Sequence, residues 1–387
     1  MRITGVICEY NPLHRGHKKQ LDLIRAKDPD GGIVCLMSGN YVQRGAPAII
    51  DKSIRAKAAV LCGADLVLEL PTPASLSSAE GFAAVGVSIL SSFCHQLCFG
   101  AETADSTLLR TLAEVLLSKS FSTVLRRHLE HGISFPAARQ AALADIGFDA
   151  TLLQLPNNIL AVEYCKAILQ QASTMEIMPI LRYGNYHDAA ADLQNPSSTA
   201  VRMLMQTSGD WSAFVPTEAT NCFDQVSFHT LQAGEKAILA KLRTMTDTDF
   251  EALPYGSEGL WRKLMHASRS EATLEDILNA TKSKRYTRSR LDRMILCAFL
   301  GITAQMLQSP APYVRVLAFN NRGRNILNLA RQSGHFPNAG EVINHPYQAL
   351  EDRWGNLYGL FADHPDASGV ERKRRIFYHG GTYEADI

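Results

Sequence analysis

The sequence of 387 residues predicts an α/β chain, with a parallel sheet covered by helices over residues 1–205 and a mostly helical region with a small α+β end over 206–387. Three observations predict it. Short apolar runs alternate with helical patterns through the first 205 residues, which favours a parallel sheet with helices on both faces. Each apolar run stops at polar, Gly or Pro residues. From about residue 210 helical patterns dominate.

Ile3–Cys8 reads as a buried strand ended by Glu9-Tyr10-Asn11-Pro12, and the helical pattern after His14-Arg15-Gly16-His17 carries Leu21, Leu23 and Ile24. Gly32–Met37 is the second strand. Asp51–Leu61 is a helix capped by Asp51, with Arg55 and Lys57 on its solvent side. Ala64–Leu70 is a strand stopped by Pro71, Ser77–Leu90 a helix, and Gln96–Gly100 a short strand. Ser106–Leu153 reads as helical with a break at Phe135-Pro136. Asn157 caps a helix over Ile159–Gln170, and Glu176–Arg182 is the fifth strand. Beyond residue 210, helices are expected over Val226–Thr244, Glu258–Ala267 and Leu274–Ala280, and a strand over Pro312–Phe319.

In sheets of this kind ligands bind beyond the carboxyl ends of the strands. Attention therefore falls on the segments after the strands, Asn11–His17, Ser38–Gly45 with its polar loop Gly39–Gly45, Pro71–Ser75 and Gly100–Glu102, and on Arg182. His14-Arg15-Gly16-His17 stands at a strand-to-helix junction, where free N–H groups favour anions and Gly16 permits close approach to the backbone. Beside a polyphosphate the two imidazoles become better donors. Ser197, Ser198 and Thr199 open a helix whose Arg202 shares its first turn, a second candidate phosphate clamp. Ordinary capping accounts for the same hydroxyls. Asn157 offers an amide to a base edge as well as a cap.

Net charge is +1, so any polyanion site must be a local patch. The strongest patch is Lys282–Arg293, with Lys282, Lys284, Arg285, Arg288 and Arg290 as candidate RNA contacts, although a charge run is often only a solvated helix face. Arg372–Arg375 is a weaker one. Eight scattered cysteines, several in apolar runs, suit a reducing compartment. Cys94-His95-x-x-Cys98 has no partner pair at zinc spacing, and no metal site is expected. No signal-like start and no membrane-length apolar run is present, which leads us to expect a cytoplasmic protein.

N-P-L-H-R-G-H after the first strand and P-S-S-T-A-V-R after a late one resemble the HxGH and SSTxxR signatures of the nucleotidylyltransferase superfamily, a Rossmann-like fold. E-Y-N-P-L-H-R-G-H, S-G-N-Y-V-Q-R-G-A-P-A-I-I-D-K, G-A-D-L-V-L-E-L-P, P-N-N-I-L, K-R-Y-T-R-S-R and R-V-L-A-F-N resemble, more narrowly, the bacterial tRNA(Met) cytidine acetate ligase family. The resemblance implies ATP-dependent activation of acetate to acetyl-adenylate. Transfer of the acetyl group to N4 of the wobble cytidine of elongator tRNA(Met) follows. It places ATP against Ile7, Cys8, Glu9, Tyr10, Asn11, Pro12, Leu13, His14, Arg15, Gly16, His17, Lys18, Lys19 and Gln20, and against Gly100, Asn157, Arg182 and Ser198. His14, His17 and Arg202 would be the catalytic groups. Mg²⁺ is expected to travel with ATP, held by phosphates and water. Leu13, Arg15 and Ala161 depart from the family's usual residues without removing a group the reaction needs. A small-molecule adenylyltransferase without an RNA substrate explains the N-terminal half equally well but leaves the basic segment unused.

Overall fold

The computed structural model describes residues 1–182, 193 and 196–380. Nine strands appear among them: β1 Ile3–Cys8, β2 Gly32–Ser38, β3 Tyr41–Val42, β4 Ala46–Pro47, β5 Leu66–Leu70, β6 Gln96–Ala101, β7 Glu176–Leu181, β8 Val316–Asn320 and β9 Phe377–His379. Seven form one sheet in the order β7-β6-β1-β2-β5-β8-β9. The pairs β7-β6, β6-β1, β1-β2 and β2-β5 are parallel, and β8 runs antiparallel to β5. From β1 the chain builds outward to β2 and β5, then returns to add β6 on the other side. The order reverses between β1 and β6, and a crevice opens there at the strands' carboxyl ends.

Alternation along the strands separates two cores. Ile3, Ile7, Val34, Leu36 and Leu68 face one side of the sheet, and Val6, Ile33, Cys35, Met37 and Val67 face the other. A third core lies among the later helices and also takes in Tyr41 and Leu76. The region after residue 205 is therefore not structurally separate: β8 and β9 complete the sheet, and Tyr358 Oη donates to the Ala48 carbonyl at 2.7 Å.

Several local expectations need correction. Arg55 is fully buried rather than on the solvent side of helix Lys52–Leu61, while Lys57 is exposed. Its guanidinium donates to the carbonyls of Ile50 at 2.7 Å, Glu9 at 2.5 Å, Ser38 at 3.2 Å, and Gly39. It ties together the ends of β1 and β2, a role that helical periodicity cannot reveal. Residues 106–153 hold three helices and a 3-10 turn, and Phe135-Pro136 opens the third helix under a Ser134 cap instead of breaking one. Thr230 caps helix Leu231–Thr244, so residues 226–229 are outside it, and the His229 N–H donates to the Ile49 carbonyl at 2.9 Å. The Gly39–Gly45 loop contains β3 and turns back into β4 as a small hairpin. At Gly45, with φ of +82°, a side chain would collide with the backbone of Arg293.

The tail's basic run is partly locked inward. Arg374 pairs with Asp51 at 2.7 Å and Glu371 at 3.0 Å, and Arg372 pairs with Asp352 at 2.7 Å. The eight cysteines are free, and His95 Nδ1 accepts the Ile3 N–H at 3.1 Å. Among the described residues no helix is long and apolar enough to cross a membrane.

Candidate active site

A cavity of about 870 Å³ opens at the carboxyl ends of β1, β6 and β7. Its floor is the junction between β1 and helix Arg15–Lys27. The helix starts at His14, whose extended backbone (φ −134°, ψ 174°) suits an N-cap. His14 Nδ1 accepts the Gly16 N–H at 3.2 Å, and His17 Nδ1 accepts the His14 N–H at 3.2 Å. The imidazoles thus form a reciprocal cap, and their rings stack with centroids 3.7 Å apart. A ring nitrogen that accepts carries no proton, so each neutral ring keeps its hydrogen on Nε2. His14 Nε2 is buried with no hydrogen-bond partner among the described residues. A buried donor without an acceptor is costly, and a ligand oxygen would satisfy it.

The histidines share this floor with two guanidinium groups. Arg182 follows β7, its N–H donating to the Ala101 carbonyl at 2.8 Å. Arg202 lies in helix Ser198–Gln206, which Ser197 caps through the Ala200 N–H at 3.1 Å. Burial first, then electrostatic coupling to His17 and the charges of Arg182 and Arg202, holds the His14 imidazole well below its ordinary pKa. Burial and Arg182 lower that of His17 to about 3. Both rings are therefore neutral Nε2–H donors at neutral pH.

Gly100, in β6, lines the cavity, and a Cβ there would meet nothing within 4 Å. Asn157 lines it too but does not cap its helix. That helix begins at Pro156, and the Glu102 carboxylate accepts from the N–H of Asn157 at 3.2 Å, its Nδ2 at 2.6 Å and the N–H of Asn158 at 2.7 Å. An acid directly after a strand end carries no sequence mark of such a role.

Of the residues expected around ATP, the cavity collects Ile7, Cys8, Glu9, Tyr10, Asn11, His14, Gly16, His17, Lys19, Gln20, Gly100, Asn157, Arg182 and Ser198, together with Arg202. Pro12 and Leu13 are buried beneath it, Leu13 completely. Arg15 and Lys18 line a separate shallow recess with Asp22, to which Lys18 is ion-paired. Helical geometry explains the split: one face of the first turn meets the cavity and the other meets solvent.

The far wall comes partly from the Gly39–Gly45 loop singled out in the sequence, through Gln43 and Arg44 with the adjoining Pro47, and partly from His229, Thr287, Ser289 and Arg293, which nothing in the sequence placed beside the nucleotide-binding residues. The basic segment thus touches the cavity through its hydroxyls and Arg293. Its other arginines are engaged elsewhere: Arg285 pairs with Glu258 at 2.9 Å, Arg288 with Glu275 at 2.8 Å and Asp292 at 2.9 Å, and Arg290 donates to the Tyr255 carbonyl at 2.8 Å. Lys282 and Lys284 are exposed.

A strand-to-helix pair of histidine donors facing two arginines, at the reversal point of a parallel sheet, defines a nucleotidyl transferase, and the HIGH Nucleotidyl Transferase family model matches residues 1–367. The chain belongs to that family. Within it, the chain is a member of the tRNA(Met) cytidine acetate ligases. It is 36% identical to the tRNA(Met) cytidine acetate ligase of Clostridium perfringens (strain ATCC 13124) over 91% of this chain and 92% of that one. It is 32% identical to that of Acetivibrio thermocellus over 87% of each. The crystal structure of apo Thermotoga maritima TmcAL superposes with a TM-score of 0.88 at 26% identity, covering 98% of this chain and 100% of that one. The same protein bound with alpha-thio ATP gives 0.85 at 27% identity over the same shares.

Proposed function

We propose that this chain activates acetate with ATP to acetyl-adenylate, releasing pyrophosphate, and passes the acetyl group to N4 of the wobble cytidine of elongator tRNA(Met). The observation that carries the reading is the unpartnered Nε2 of His14, stacked on His17 and flanked by Arg182 and Arg202. It is a set of donors and positive charge arranged for a polyphosphate.

Acetate is ionised at neutral pH, so attack on the α-phosphorus calls for positioning and charge neutralisation rather than a base. His14 and His17 donate from Nε2 to phosphate oxygens, and Arg182 and Arg202 offset the charge that builds as pyrophosphate departs. Gly100 leaves open space beside the nucleoside, and Asn157 and Ser198 border it. Lys19, Gln20 and the backbone of residues 7–17 complete the nucleotide half.

A magnesium ion would arrive with ATP. It would be held by phosphate oxygens and water rather than by a dedicated cage of side chains. We assign activation to residues 1–205 and tRNA contact to 206–387, a division of labour across one shared sheet. Lys282, Lys284, Arg285, Arg288 and Arg290 present the surface for the tRNA backbone, with Lys282 and Lys284 the most available. Such a substrate fits a cytoplasmic enzyme. The small-molecule reading leaves Thr287, Ser289 and Arg293 at the cavity without a purpose.

ATP–pyrophosphate exchange tests this reading. Exchange that depends on acetate supports it, and absence of exchange with every carboxylate tried contradicts it.

A further inference from the structure

The acetyl transfer releases a proton from the attacking nitrogen, and one side chain of the cavity is placed to receive it. We propose that Glu9 accepts a hydrogen bond from the exocyclic amine of the acceptor cytosine and takes its proton as the acetyl group transfers. The proposal rests on the function proposed above and adds a residue role to its second step.

Glu9 is the only acidic side chain lining the cavity among the described residues, in a wall that otherwise carries Lys19, Arg44, Arg139, Arg182, Arg202 and Arg293. Its position is fixed twice. Its carbonyl accepts from Arg55 Nη1 at 2.5 Å, and its Oε1 accepts the Gln43 N–H at 2.8 Å. A carboxylate gains nothing from facing triphosphate or acetate, both anions. It suits a donor, and the cytosine N4 amine is one that carboxylates read.

Its surroundings point to a base entering from the C-terminal side. The Gln43 carbonyl accepts from Arg293 Nη1 at 3.3 Å, so Glu9 and Arg293 hold the same hairpin residue from two directions. Arg293 lies on helix Arg288–Leu300, directly after Lys282 and Lys284. On its other side Glu9 neighbours Tyr164, whose phenol is pushed up first by burial and then by the charges of Cys8 and Glu9. Tyr164 packs on Phe99 with centroids 5.4 Å apart, and both nearly buried rings border the cavity.

The histidines are poor alternatives. Each Nδ1 already accepts a capping N–H, so taking a proton would break the start of the helix that presents them. In the proposed step the N4 lone pair bonds to the acetyl carbonyl carbon. The bond from that carbon to the adenylate oxygen breaks, its electron pair leaving with AMP, and one N4 proton passes to Glu9 and on to water.

The test compares the full-length enzyme with Glu9→Gln and Glu9→Asp in two assays. One is acetate-dependent ATP–pyrophosphate exchange. The other is single-turnover transfer from synthetic acetyl-adenylate to unmodified elongator tRNA(Met). A general base contributes about a hundredfold or more. Glu9→Gln should therefore slow transfer about a hundredfold while exchange falls far less. Glu9→Asp should recover part of the rate. Parallel loss of exchange and transfer would place Glu9 in adenylate formation and overturn the proposal, as would transfer at the wild-type rate by Glu9→Gln. Wild-type enzyme inert in both assays would instead overturn the function on which it rests.

Discussion

Arg202 donates from Nη1 to the main-chain oxygen of Asn11 at 2.6 Å, joining residues 191 positions apart across the floor of the cavity. Its Nη2 donates to Thr199 Oγ1 at 3.1 Å, so the guanidinium plane is fixed before any nucleotide arrives. A lysine keeps the charge but not the fork. Arg202→Lys should lower the acetate-dependent exchange kcat/KM by about ten- to a hundredfold, in line with a charged hydrogen bond worth about 1.5–3 kcal/mol. Steady-state exchange kinetics give the answer, with circular dichroism to confirm folding.

Arg55 should matter to stability more than any surface cation. Replacing it by Met leaves the buried carbonyls of Ile50, Ser38, Gly39 and Glu9 without their donor. Removing a buried charged partner of this kind costs about 3–5 kcal/mol. Urea unfolding of Arg55→Met should show a lower midpoint at unchanged slope.

Gly100 separates space from stability. A methyl group there meets no atom within 4 Å, so Gly100→Ala should keep the melting temperature within about 2 °C of wild type. The same methyl enters the cavity on the side where the nucleoside is proposed to lie. The KM for ATP should rise several-fold, read from exchange at varied ATP.

The histidine pair imposes a pH dependence on stability. The folded pKa of His17 is lowered to about 3, below its ordinary value of 6.5, and that of His14 moves in the same direction. The unfolded chain therefore binds protons that the folded chain does not, and stability is lost as pH falls from about 6.5 toward about 3. His17→Gln removes one titrating group from that window. Its urea midpoint should fall less steeply between pH 7 and pH 5 than that of the wild type.

Lys282 and Lys284 are the cations of the basic segment most available to phosphate. Changing both to Ala should weaken tRNA binding, and the slope of log affinity against log salt should become shallower by about one for each lysine that meets a phosphate. Filter binding at several salt concentrations measures both. An unchanged slope would move the tRNA surface elsewhere.

Much of the nucleotide half is legible in the sequence because local patterns encode it. The run Ile3–Cys8 and the His-x-Gly-His that follows it mark the strand-to-helix junction of the proposed phosphate cradle without any long-range pairing. Ser197 and Arg202 are legible through spacing within one turn. Arg55 is not, because its partners come from separate segments and a cation on a helix reads as exposed. Glu102 is legible as a residue at a strand end, but its capping role is hidden for the same reason, because the helix it caps lies 55 residues away. The far wall at His229, Thr287 and Arg293 depends on how β8 returns to the sheet, and strand pairing between residues 66 and 319 leaves no mark in composition or periodicity.

The most direct test of the account is nucleoside mass spectrometry of unmodified elongator tRNA(Met) incubated with the purified chain, ATP and isotopically labelled acetate. The account predicts one labelled N4-acetylcytidine per tRNA, at the wobble position, formed only when ATP and acetate are both present. Acetate-dependent pyrophosphate exchange with no acetylcytidine in the tRNA would contradict it.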